Sequence, residues 1–541
     1  MNGRSMRASP GTVAAWVAAL AVVCATFLPY AWLDRHAPAG QVFSGLSTPL
    51  PDEASYLMWM GQHRDGALRV ENRMTTDPHE RFYGNPVWMV LGLASRVTGA
   101  SLVATYHGGR AALAFLYLVL LWAALGRLVP DRRSAALAFA LVAVGSGFGW
   151  LQDLGLPVES ADTWMTELWS FPSLLHFPHF AASLALVAAT LGAVARGLAS
   201  GRRGPGIAAG LALALLVQVH PYTALTLSLA LAVSWVLERR VAARGPAEAG
   251  IGTRPTSPTV TGGPVPIALA IAFAAFALAA AQVVSSPMLQ AWARQNVMPS
   301  PPPWQYVAGF GFPGLMALVG FWRLTRDRAW TPALRLLAAW IAVAALLAYG
   351  APVIPFERRC IEGVHIALAV FAALAIAPEL ARRSRGSAAI LAAFVVVASA
   401  PGSIATALRE CMTDNPGYVD ADWPDLARAV HESAGDDGVL AAPRAGLYLA
   451  AFAGARVFIG HHEVTPQFGK RLRAVESFFS DPAPPDARTA FLAQARCRWV
   501  VTTPDTARAL LGAGIPPSLV PRAAGSSWVL YGPEPKSPPA P

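Results

Sequence analysis

Charge is what this chain has least of. Only 14% of its 541 residues are Asp, Glu, Lys or Arg, against roughly 25% in soluble domains, so about half the usual solvating charge is missing. Lysine is nearly absent: Lys470 and Lys536 are the two in the sequence, and arginine supplies almost all the positive charge. Cys24, Cys360, Cys411 and Cys497 show none of the spacings that hold a metal. With 54% apolar residues and so little charge, the chain is neither disordered, nor a disulfide-stapled miniprotein, nor an ordinary soluble enzyme. What it has instead is long apolar runs. Residues 11–29, 102–125 and 267–284 carry little or no charge over about the 20 residues needed to cross a bilayer. The composition predicts a polytopic α-helical membrane protein.

The formal charge of +10 does not point to nucleic acid, because most arginines sit in short turns between apolar spans, the positive-inside arrangement. Arg4 and Arg7 precede a run that continues to about residue 30 without a small-residue cleavage site, so it reads as a retained first span. A long polar loop, 34–100, follows, with an amphipathic helix over 52–63 and a short apolar helix over 86–97. Further spans are predicted at about 103–125, 135–150, 172–195, 265–285, 306–324, 332–349, 361–380 and 388–408. The apolar stretch 207–237 would be about 46 Å long as one helix, well beyond a hydrocarbon core of roughly 30 Å. His220-Pro221 breaks it, so it reads as a hairpin of two short helices. The count is eleven spans, N-terminus inside, with residues 1–408 as the membrane domain and no internal repeat.

From about residue 410 the composition changes. Short buried strands at 439–442, 457–460 and 499–503 alternate with helical stretches at 423–432 and 486–495. This predicts a small α/β domain over 409–535, outside the membrane, with a disordered Pro-rich tail at 536–541. If that domain faces an oxidising compartment, Cys411 and Cys497 either pair or remain free buried thiols.

Several residues break the membrane pattern. Asp52 and Glu53, in Pro51-Asp52-Glu53-Ala54-Ser55-Tyr56, are adjacent and cannot share one helical face. They are either a general base with a neighbour of different role or the acidic first turn of a helix. Asp77, His79 and Glu80 form a second polar cluster in the same loop, and Asp162 with Glu167 a third in the next one. These carboxylates either bind a divalent cation or a sugar or are solvated loop charges. His176, His179 and His220 fall at span ends, where buried polar groups tend to line cavities; packing, metal ligation and hydrogen bonding to phosphate or sugar are all open. Arg358 and Arg359, in Pro355-Phe356-Glu357-Arg358-Arg359, lie in an outer turn where the positive-inside bias would not put them. A phosphate at the outer leaflet would account for the pair, as would pairing with Glu357 or Glu362, or a topology that puts this turn on the inner side.

Taken together, these features resemble the GT-C superfamily of integral-membrane glycosyltransferases, in its protein O-mannosyltransferase and lipid A aminoarabinose transferase branch. The resemblance rests on the Asp52-Glu53 pair with Tyr56 in a long first outer loop, two loop helices, a second acidic outer loop, about eleven spans and a C-terminal outer domain. It covers mainly residues 1–380. The run Gly145-Ser146-Gly147-Phe148-Gly149-Trp150, His220-Pro221, Phe356-Glu357-Arg358-Arg359 with Gly363, and Gly460-His461-His462-Glu463-Val464-Thr465-Pro466 are similar to uncharacterised bacterial proteins related to that branch.

The resemblance implies a polyprenyl-phosphate sugar donor and a lipid, glycan or protein acceptor, used at the periplasmic face of a bacterial inner membrane. Asp52 would be the base and Glu53 its supporter or an acceptor contact. Arg358 and Arg359 would hold the donor phosphate, with Tyr56, Asp77, His79, Asp162, Glu167, His176, His179 and His220 as further substrate contacts. The lysine that some relatives use near the lipid phosphate is missing. No oligosaccharyltransferase signature is evident and no motif fixes a metal, so a divalent cation is only a candidate cofactor. His461, His462 and Glu463 lack recognised zinc spacing and read as structural or acceptor-contacting. The competing readings are a transporter of envelope lipids or glycans, which would place ionisable groups mid-span, and a non-catalytic membrane scaffold.

Overall fold

The computed structural model describes residues 9–129, 131–243, 263–350, 356–412, 417–481, 483–513, 516 and 518–534. Arg4 and Arg7, most of the linker at 241–264, Pro355 and the tail at 536–541 lie outside the described residues. The chain divides into two compact units. The first comprises Met1–Pro29, Gly108–Ala281 and Val297–Thr413. The second comprises Tyr30–His107, Gln282–Asn296 and Asp414–Pro541, so the long first loop belongs to the same unit as the C-terminal segment.

Among the described residues seven helices are long and apolar enough to cross a membrane, and eight if the bent pair Arg385–Ser399 and Pro401–Met412 is one span. The other three segments expected to cross are also helices, Arg132–Val144, Gly204–Val219 and Pro332–Leu347. At 13, 16 and 16 residues they reach only about 20–24 Å at 1.5 Å per residue. The break at His220 falls as expected, between Gly204–Val219 and Pro221–Ala243.

In the first unit, Pro178–Ser200 and Glu357–Arg382 are the most enclosed of the long helices. Pro264–Ser285 turns Phe273, Leu278 and Val284 outward, as a helix in contact with lipid would. Helix Pro303–Arg326 is kinked at Gly311, which has φ 50° and ψ −139°, two residues before Pro313. Proline has no N–H and deprives the carbonyl four residues earlier of its helical donor. That carbonyl is Gly309 O, and Trp169 Nε1–H donates to it at 2.7 Å, while Phe148 N–H donates to Ala308 O at 2.8 Å. The kink thereby seats the segment that runs from Gly145 to Trp169. Past the kink the same helix packs closely on Val364–Arg382.

The second unit holds two sheets. β1 (Gln41–Phe43) pairs antiparallel with β2 (Tyr418–Asp420). β3 (Gly438–Leu440), β4 (Arg456–Val457), β5 (Cys497–Thr502), β6 (Leu519–Ala524) and β7 (Val529–Pro533) form a mixed sheet of order β4-β3-β5-β7-β6. The three expected strands correspond to β3, β4 and β5, which run parallel. The hairpin β6–β7 adds an antiparallel edge, and Pro521 is tolerated there because an edge strand need not donate on both sides. Helices Trp423–Ala434 and Pro485–Ala495 stand where the pattern put them. In the first loop, Leu50–Arg64 packs on Pro86–Thr98, and Gly92 permits the approach: a Cβ there would meet Met60 O at 2.5 Å.

The contact between Pro303–Arg326 and Val364–Arg382 is open to test at Gly320, where a Cβ would lie 1.9 Å from Phe371 O. Gly320→Ala should cost about 1–3 kcal/mol by overpacking and lower Tm in detergent. Gly386→Ala, whose Cβ meets nothing within 4 Å, should not. Equal Tm values for the two variants would disprove that helix approach.

Candidate functional site

Helix Leu50–Arg64 begins after Pro49 and carries both acids in its first turn. Successive residues on a helix point about 100° apart, and the two carboxylates separate accordingly. Glu53 is 0% exposed; its Oε2 accepts Ser47 N–H at 2.7 Å and its Oε1 faces Tyr106 O–H at 3.5 Å. It braces the loop that leads into the helix. Asp52 keeps 37% of its side chain exposed. One turn on, Tyr56 stacks on Trp88 with centroids 4.2 Å apart.

The partner of Asp52 comes from the far end of the chain. His461 Nε2 lies 3.1 Å from Asp52 Oδ1, and His461 itself is 2% exposed. The loop that presents it is tied down on every side. Gly460 N–H donates to Thr465 Oγ1 at 3.1 Å, and the Thr465 hydroxyl donates to Met74 O at 2.9 Å. Asn72 Nδ2 donates to Val464 O at 2.9 Å, and Gln295 Nε2 donates to His462 O and Thr465 O at 2.9 and 3.0 Å. At the other end of helix Pro287–Gln295, Glu80 accepts from the Ser286 hydroxyl and from Met288 N–H. That is an anion at a helix N-terminus, and the Ser286 hydroxyl is the main cause holding the Glu80 carboxyl below its ordinary range.

Among the described residues, Asp52, His461 and Glu463 are the one group of three whose donor atoms could hold a metal, all within 4.8 Å of one another. The set is compatible with a divalent cation in composition and distance. The hydrogen-bond polarity opposes it as the ring stands. Glu463 N–H donates to His461 Nδ1 at 2.8 Å, so a neutral ring carries its proton on Nε2 and gives it to Asp52. A histidine that ligates through Nε2 needs its proton on Nδ1, where it would ordinarily be donated to an acceptor; here that nitrogen meets a donor. The arrangement fits an Asp–His hydrogen-bonded pair better than a metal centre.

The other loop-one residues are engaged elsewhere. Asp77 pairs with Arg471. His79 Nε2 accepts Asn72 N–H at 2.9 Å, and its Nδ1 lies 2.9 Å from Asp77 O, so both ring nitrogens shape the loop.

In the first unit, Arg358 and Arg359 sit on the 3₁₀ turn Glu357–Ile361. The Arg358 guanidinium lies over the Trp164 ring at 5.4 Å and 3.6 Å from Glu167 Oε1; Arg359 lies over Tyr222 at 5.9 Å. Glu357 accepts Ser300 N–H at 3.2 Å. Glu362, 0% exposed, accepts His220 Nδ1–H at 2.6 Å, Ser183 O–H at 3.0 Å and the Thr223 hydroxyl. His176 lies 3.8 Å from Glu410, and His179 packs against Phe180 at 4.4 Å. His220 packs 5.6 Å from the same Phe180 ring, so His179 and His220 are neighbours, with Arg359 close to His179, while His176 stands apart with Glu410. Asp162 takes Gly147 N–H at 2.8 Å, Gly149 N–H at 3.2 Å and the Ser160 hydroxyl. Burial raises its carboxyl above the ordinary range, against these bonds. Arg110 is buried and donates to Thr26 Oγ1 and Leu174 O at 2.9 and 2.8 Å. The four cysteines form no disulfide.

No family model matches the sequence, and no curated protein is recognisably similar to it. Solved structures are. ArnT from Cupriavidus metallidurans bound to undecaprenyl phosphate aligns over 97% of this chain and 98% of its own, at 15% identity and TM-score 0.53. An Archaeoglobus fulgidus oligosaccharyltransferase tethered to an acceptor peptide aligns over 93% and 70%, at 14% identity and TM-score 0.53. The chain has the GT-C fold. The arabinofuranosyltransferase AftD from Mycobacteria shares it over 98% of this chain, at 15% identity and TM-score 0.54, although this chain spans only 40% of that protein.

Sequence reasoning singled out Asp52, and it singled out His461 and Glu463 as a loop after a strand without joining them to it. It passed over Ser183 and Thr223, which surround Glu362; hydroxyls in apolar helices carry little signal alone. Asp162 is expected to act as a clamp. Asp162→Asn, which cannot accept from three donors, should cost about 2–3 kcal/mol, the range for hydrogen bonds to a charged group, and lower Tm. A variant with unchanged Tm would free Asp162 for a substrate role.

Proposed function

We propose that the protein is a membrane glycosyltransferase that moves a sugar from a polyprenyl-phosphate donor to an acceptor at the periplasmic face of a bacterial inner membrane, with Asp52 as general base. The observation that carries this is the contrast within the acidic pair: Glu53 is buried on Ser47 and Tyr106, whereas Asp52 is partly exposed and held by a buried histidine. The GT-C fold, and the undecaprenyl phosphate in ArnT, support a lipid-linked donor.

Asp52 removes the proton from an acceptor hydroxyl or amine as that atom attacks the anomeric carbon. The bond from the anomeric carbon to the phosphate oxygen breaks, and its electron pair leaves on polyprenyl phosphate. Arg358 and Arg359 offer planar forks to that phosphate, whose negative charge grows as the bond breaks. His461, donating through Nε2, fixes the Asp52 carboxylate while its other oxygen remains available. Glu53 positions the helix start and touches no substrate. In this reading the base belongs to the second unit, which supplies both Asp52 and His461.

Purified protein incubated with a set of polyprenyl-phosphate sugars, with release of polyprenyl phosphate as readout, tests the reading. Asp52→Asn should lower turnover by roughly 10²–10⁴-fold, the usual share of general base catalysis, with Tm unchanged. Arg358→Gln and Arg359→Gln should raise KM for the donor. Full turnover in Asp52→Asn would remove the base, and no transfer or hydrolysis by the unaltered protein would favour a scaffold. Turnover should also survive chelation by EDTA; loss of activity restored only by Mn²⁺ would replace the Asp–His pair with a metal centre.

A further inference from the structure

The second unit contains a cavity of about 590 Å³, within the 300–1,000 Å³ range of small-molecule sites, that the proposed chemistry does not use. It opens beside the C-terminal end of helix Leu50–Arg64, where Gln62 lines it. Ten residues separate Gln62 from Asp52, which is about 15 Å along the helix axis.

One wall is the π-helical turn Leu449–Ala453, a rare geometry frequent at functional sites. The residues of this turn that line the cavity, Ala450-Ala451-Phe452-Ala453-Gly454, keep side chains small except at Phe452, which stacks on Tyr448 with centroids 4.4 Å apart. The aromatic face thus stands against a wall with little other bulk. The polar groups on the other sides mix donors and acceptors. Arg73 is pinned by Gly454 O and by Asp436 at 3.6 Å. Arg428 is held by Asp425 at 3.1 Å. His431 gives its Nδ1 proton to Ala453 O at 3.0 Å, which leaves Nε2 as an acceptor.

An aromatic face for C–H groups, with forked side chains and acceptors for hydroxyls, matches the surface of a pyranose or furanose ring. A polyphosphate is disfavoured by the carboxylates of Asp65 and Asp436 on the same lining. We infer that this cavity binds the saccharide portion of the acceptor, a second carbohydrate site whose lining on helix Leu50–Arg64 includes Met58 and Gln62, about 9 and 15 Å along the axis from the base. The inference rests on the glycosyltransferase reading for the word acceptor, while saccharide binding itself needs no turnover. It narrows the acceptor to a glycan or glycolipid.

The full-length protein in detergent, carrying Asp52→Asn to suppress turnover, is applied to an array of mono- to tetrasaccharides containing neutral, amino and uronic sugars, with inorganic phosphate as competitor. Binding to at least one saccharide is expected, weakened about tenfold or more by Phe452→Ala and by His431→Ala. Asp436→Ala, at a position 84% exposed where folding is not at stake, should weaken it as well. Absence of saccharide binding, binding that survives all three substitutions, or displacement by phosphate alone would each overturn the inference. None of those outcomes touches the assignment of Asp52, which is read from donor turnover in the unsubstituted protein.

Discussion

The hydrogen bond between His461 and Asp52 joins positions 409 residues apart, and much of the second unit is arranged to hold it. A carboxylate on the first turn of a helix is mobile unless something fixes it, and fixing a long-range pair costs the ordering of both loops that carry it. The chain meets this with bonds that converge from three segments. Asn72 and Met74 hold the histidine loop from the first loop, Thr465 folds it back on itself, and Gln295 spans its far side. Glu80 then anchors the helix that carries Gln295. Buried Glu53 does the same for the acid's own helix. The pair is stiff because each neighbour is itself paired.

The same economy governs the first unit. In an apolar interior a charged group must find a partner, and with so few charges the partners are individual. Glu362 collects His220, Ser183 and Thr223; Asp162 collects two glycine amides and a serine; Arg110 takes a threonine and a carbonyl. Even the proline kink follows the rule, since the carbonyl that Pro313 strands is taken by the Trp169 indole. Groups satisfied in this way hold loops and helices together, as Asp162 and Glu362 do.

What was legible in the sequence is what local pattern encodes. The apolar helical segments, the break at His220-Pro221, the helix of the first loop and the buried strands β3 to β5 all follow from periodicity and composition and are found as helices or strands. Among the described residues, however, only seven or eight of the eleven expected spans are long enough to cross a membrane. The hairpin β6–β7 was not legible, because Pro521, Arg522 and the turn near Gly525 interrupt alternation. The kink at Gly311 needed the knowledge that Trp169 would be there to receive the orphaned carbonyl. The spread of Asp52 and Glu53 to different faces was readable from helical geometry, but which acid would be exposed was not. That depended on Ser47 and Tyr106, and the role of His461 depended on a contact no spacing rule reaches.

The arginine pair is chemically distinct from the rest of these charges. Arg358 stands over Trp164 and meets Glu167 only at 3.6 Å, and Arg359 stands over Tyr222. A lysine could not be placed so: its compact ammonium is strongly hydrated and lacks the flat face that lies on an aromatic ring. Aromatic faces stabilise a guanidinium without consuming the N–H edges that a phosphate would grip. A close bidentate carboxylate would instead use those edges and cancel the charge. In a chain with only two lysines in 541 residues, the planar guanidinium is the cation that aromatic rings such as Trp164 and Tyr222 can support from its face where charge is costly to bury.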